Sequence, residues 1–104
     1  MFYTNPDKSS SPGRVPEEGN KNALNLSADT LVKNGPGRCM RVNVITAGTT
    51  PGSLYDAAKI ADAAAANQFG TVPNAVGTTI FNWPCLKGIV YKLGTGQVVS
   101  ISYS

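Results

Sequence analysis

The sequence predicts an all-β chain: an antiparallel β-sandwich or small jelly-roll of about seven strands, with an extended N-terminal arm. Three observations point there. Gly 11 and Pro 7 punctuate 104 residues. Between them lie short apolar runs that alternate at period two. No stretch carries the large apolar stripe that a packed helix needs.

Residues 1–25 differ in texture from 26–104, and this divides the chain into an arm and a sandwich domain. Pro6, Pro12 and Pro16 interrupt the arm, Ser9, Ser10 and Ser11 run together, and acids balance bases. Such a segment cannot bury enough apolar surface to offset its ordering entropy alone. It reads either as a floppy tail or, as the two adjacent aromatics favour, as an arm that orders against a neighbouring subunit with Phe2 and Tyr3 at its tip as anchors. Arg14 and Val15 are further expected contacts.

The first expected strand covers Leu26 to Lys33, and Asn34-Gly35-Pro36-Gly37 turns the chain. Arg38 to Thr46 reads as the best central strand. Its period places Met40, Val42 and Val44 on one face and Cys39, Arg41 and Asn43 on the other. A turn-rich loop leads to a short strand over Ser53 to Asp56. Ala57 to Gln68 carries many alanines but only Ile60 as a large apolar residue. It reads as a loop with at most a turn or two of helix. Phe69 to Pro73 and Gly77 to Trp83 follow as strands, and Pro84 should end the second because it cannot donate to a ladder. Gly88 to Leu93 alternates Ile89, Tyr91 and Leu93 against Val90 and Lys92. Gly94-Thr95-Gly96 makes a hairpin loop, and Gln97 to Tyr103 alternates again.

Composition limits function. The chain has no His, which removes the usual general base near neutral pH and every Ser-His or Cys-His nucleophile. Cys39 and Cys85 alone do not make a zinc site, and the spacing leaves open two free thiols or a disulfide. Asp29, Asp56 and Asp62 show no metal-loop or glycosidase spacing. The glycine-rich turns lack the Lys-Ser/Thr and helix start of a phosphate loop. The expectation is therefore no enzyme, no cofactor and no metal. Net charge is +3, and the bases are dispersed except for Arg38 and Arg41. That argues against a specific nucleic-acid partner. The start is no signal peptide and no window is a membrane helix, so synthesis in a cytoplasm is expected. Charged residues are only 14%, against a norm of about 25%. A thin charged coat suits a subunit that contacts neighbours, and Trp83 beside Pro84 is a candidate anchor.

The order of several pieces carries a resemblance. These are Leu31-Val32-Lys33 with Gly35-Pro36-Gly37-Arg38; Arg41-Val42-Asn43-Val44 leading to Thr46-Ala47-Gly48; Leu54-Tyr55-Asp56 before an Ala-rich loop; and Gly88-Ile89-Val90-Tyr91, Gly94-Thr95-Gly96 and Val99-Ser100-Ile101-Ser102-Tyr103. Together they resemble small β-sandwich virion structural proteins of tailed bacteriophages, of the head decoration or cement kind. The resemblance implies a structural protein of the virion, made in the host cytoplasm. Its partners would be the major capsid protein or other virion proteins. A homo-oligomer is expected, with a trimer as first guess. A neck, collar, spike or tail-associated subunit is one alternative. A glycan- or nucleic-acid-binding sandwich using Trp83, Arg38 and Arg41 is another.

Overall fold

A computed structural model describes residues 21–104. Eight strands run in the order β1 (Lys21–Leu26), β2 (Thr30–Asn34), β3 (Gly37–Thr46), β4 (Gly52–Tyr55), β5 (Gln68–Val72), β6 (Gly77–Cys85), β7 (Gly88–Lys92) and β8 (Val98–Tyr103). They form two four-stranded sheets, ordered β1-β8-β3-β6 and β2-β7-β4-β5, in which every pairing is antiparallel. First pairs with last, second with seventh, third with sixth and fourth with fifth. One long hairpin has thus been folded over itself, which is the jelly-roll arrangement of two facing sheets.

Period-two alternation builds the core. Val42 and Val44 from β3 and Val99 and Ile101 from β8 face Leu54, Val72, Ile89 and Tyr91 from the opposite sheet, and all are buried. Behind β7 a polar group is satisfied inside. Gln97 is buried, takes the Tyr91 hydroxyl and the Gly94 N–H on Oε1, and donates Nε2 to the Pro73 carbonyl. Gly52 is required there, because a Cβ at this position would run into the Tyr91 hydroxyl.

Four expectations change. The strand expected over Leu26 to Lys33 is two strands in different sheets, which is why the total is eight. The chain leaves β1 at Leu26 and enters β2 at Thr30. The Asp29 carboxylate holds the corner by accepting the Leu93 N–H at 3.0 Å. Second, residues 21–25 belong to β1 and pair with β8, rather than to the arm. Third, Cys39 sits on the buried face with Val42 and Val44, while Met40 is only half-buried. The ladders to β6 and β8 both shift register between Cys39 and Arg41, and such a bulge resets side-chain parity. Fourth, β6 continues through Pro84 to Cys85. Pro84 faces Arg38, whose backbone N–H and C=O both bond Ser104 on the far side. In such a pair the proline nitrogen points outward from the sheet edge, so no ladder bond is lost.

The Ala-rich segment contains two single-turn 3₁₀ helices, Ile60–Asp62 and Ala65–Asn67, with no buried residue in either. Among the described residues no helix is long and apolar enough to cross a membrane.

Candidate interaction surface

β6 is an edge strand, paired only with β3 among the described residues. Thr79 faces Val42 and Trp83 faces Cys39, so these side chains point inward, while Ile80 lies opposite exposed Arg41 and points out. β6 takes three steps between Ile80 and Trp83 where β3 takes two. The extra residue is absorbed at Asn82, whose φ of +48° lies in the left-handed region that Asn tolerates. The Arg38 guanidinium pins this bulge by donating to the Asn82 carbonyl at 3.1 Å and to Asn82 Oδ1 at 3.2 Å.

Three aromatic rings close the gap between the β5 and β6 edges. Phe69 stacks on Trp83 at 5.9 Å between centroids and 4° between planes. It meets Phe81 edge-on at 6.1 Å and 87°. Offset and edge-to-face pairs of this kind add to area burial. The stack leaves half of Trp83 in solvent: Val76, Ile80, Trp83 and Leu86 are 70%, 66%, 47% and 76% exposed. Four of the seven exposed large hydrophobic residues of the described chain therefore fall within residues 76–86.

Leu86 is held out by a rigid turn. The Asp56 carboxylate accepts the N–H groups of Leu86 at 3.1 Å, Lys87 at 2.8 Å and Gly88 at 3.3 Å. Burial pushes this carboxyl up, but those three bonds and the Lys87 charge outweigh it and hold Asp56 below the ordinary carboxylate range.

Cys39 and Cys85 share the inner face on neighbouring strands, and both are free and buried. Burial, reinforced by the nearby Cys85, pushes the Cys39 thiol up to about 12. Burial and the Asp56 charge push Cys85 up to about 11, against the Cys39 N–H and the Arg38 charge. A thiol of this kind is a poor nucleophile at neutral pH. Among the described residues no three His, Cys, Asp or Glu side chains come together to hold a metal ion.

The expected contact residues thus separate. Phe2, Tyr3, Arg14 and Val15 lie outside the described residues. Trp83 is stacked at the open flank between the sheets. Arg38 is committed to the bulge, and Arg41 stands on the sheet's outer face. A ligand surface combining Trp83 with the two arginines is not what the geometry assembles. Sequence reasoning missed Ile80 and Leu86 as contacts. The available signal was the uninterrupted run Ile80-Phe81: in a strand, one of two consecutive apolar side chains must face away from the core. Compared with protein families, curated proteins and solved structures, the chain gives no match.

Proposed function

We propose that this chain is a non-enzymatic structural subunit of a bacteriophage virion, a decoration or cement protein on the capsid surface. In this reading residues ahead of β1 engage the major capsid lattice, and the sandwich associates with its own copies, with a trimer as the first expectation. The observation that carries it is the apolar β6 edge. An exposed edge lined by Ile80, Trp83 and Leu86 is a cost for a solitary protein and an asset for one that is covered in use. Pro84 and the Asn82 bulge blunt that edge against simple strand addition, so side chains rather than a shared ladder would make the contact. The sequence resemblance supplies the virion context. The jelly roll is common among viral capsid domains, which is support by analogy of fold.

Mass analysis of the native particle tests this directly. Hundreds of copies per particle are expected of a shell protein. A dozen or fewer would move the chain to the neck or tail, and absence from the particle would end the proposal. Deleting residues 1–20, which leaves β1 intact, should sharply weaken co-sedimentation with assembled capsids. Unchanged binding would remove the arm's role.

A further inference from the structure

The outer face of the β1-β8-β3-β6 sheet carries a second feature, independent of the assembly reading. Asn22, Ser102 and Arg41 stand side by side on β1, β8 and β3. One step along, Ser100, Asn43 and Thr78 stand side by side on β8, β3 and β6. These six side chains line a concavity of about 220 Å³.

Its hydrogen-bonding capacity is unevenly spent. Thr78 donates to Asn43 Oδ1 at 2.9 Å, which occupies that acceptor and leaves the Asn43 amide nitrogen available. Ser100 Oγ accepts the Asn25 N–H at 3.1 Å and keeps its own proton to donate. The Ser102 hydroxyl is shut away from solvent with no partner among the described residues. A buried polar group left this way costs free energy, and its burial keeps it out of a ligand's reach. Arg41 adds a planar guanidinium with five donors, and no acidic side chain lines the concavity. The site is rich in donors and holds one positive charge.

We propose that this face binds a saccharide bearing a carboxylate. Arg41 takes the carboxylate in a two-pronged contact, and Asn22, Asn43 and Ser100 engage ring hydroxyls. A single guanidinium matches the single charge of a carboxylate and its planar pair of oxygens. The amides and hydroxyls around it both donate and accept, as sugar hydroxyls do. The space is smaller than the roughly 300–1,000 Å³ of sites for larger ligands and fits one sugar ring. Arg38 donates to Asn82 and does not line this concavity, so a phosphate would meet only one cation.

Nuclear magnetic resonance titration of the ¹⁵N-labelled full chain provides the test, with glucuronate as the probe. Glucose, acetate and inorganic phosphate separate ring, carboxylate and anion chemistry. Saturable shifts in the millimolar range are expected at Arg41, Asn43 and Ser100 with glucuronate, at least about tenfold weaker with the three controls. Arg41→Gln should weaken glucuronate binding by about tenfold or more while the rest of the spectrum stays in place. Ser102→Ala should leave the glucuronate affinity unchanged and the unfolding midpoint equal or higher, since the hydroxyl is out of the ligand's reach and has no partner to lose. No saturable shift with glucuronate, an equal response to acetate or phosphate, or an unchanged affinity in Arg41→Gln would overturn the proposal.

Discussion

β6 and β7 are neighbours in sequence, joined by the Leu86-Lys87 turn, and both are apolar. β7 is buried along its first four residues, whereas β6 is exposed at most positions. The difference is position in the sheet. β7 lies between β2 and β4, so Ile89 and Tyr91 enter the core while Val90 is hidden on the other face, flanked by Leu31 and Tyr55. Among the described residues β6 has a neighbour on one side only, and its outward apolar groups are exposed. Similar residues therefore make a core in one strand and a contact edge in the next. Hydrophobicity alone does not say which.

Substitutions can break or sharpen that contrast. Tyr91→Ala in β7 empties a core position and strips Gln97 of a partner, and should cost about 3–5 kcal/mol in urea unfolding. Gln97→Leu should cost about 2–3 kcal/mol by the same measurement, because the Tyr91 hydroxyl, the Gly94 N–H and the Pro73 carbonyl all lose their bond. A loss much smaller than this would mean that water replaces the side chain.

The turn between the two strands should respond to pH. Asp56 has its folded value held below that of the unfolded chain, which is about 3.9. Its contribution is therefore full above that value and is lost as the pH falls through the lower, folded one. The wild-type urea midpoint should drop between about pH 6 and about pH 2.5 by more than that of Asp56→Asn. Parallel curves would show that the three N–H bonds do not depend on the charge. Last, Ile80→Ser in β6 should change stability by no more than about 0.5 kcal/mol. If the assembly proposal holds, the same variant should be retained less well on particles. A large stability loss would make Ile80 part of the core and erase the contrast.

These two strands also mark what was legible in the sequence. The alternation of Ile89-Tyr91 and Val99-Ile101 follows from strand geometry, and the Gly94-Thr95-Gly96 loop from local backbone freedom. Local signals therefore located most strands and the sandwich class. The inward turn of Cys39 was hidden, because the bulge that resets its parity arises from the ladders to β6 and β8. The corner that splits Leu26 to Lys33 was hidden as well, since Asp29 finds its partner at Leu93, far along the chain. In the candidate surface Trp83 was visible as an aromatic beside Pro84, but the exposure of Ile80 depended on knowing that β6 is an edge. The outer polar concavity was out of reach, because Asn22, Arg41, Thr78 and Ser100 come from four strands brought together only by the jelly roll.

The place of β8 has a further consequence. This strand is the last of the eight in chain order, yet it lies between β1 and β3 in the middle of its sheet. Until residue 103 clears the ribosome, β1 lacks its partner among the described strands and β3 lacks one of its two. The nascent chain must therefore carry those unpaired ladders until β8 emerges, and this half of the fold closes only then.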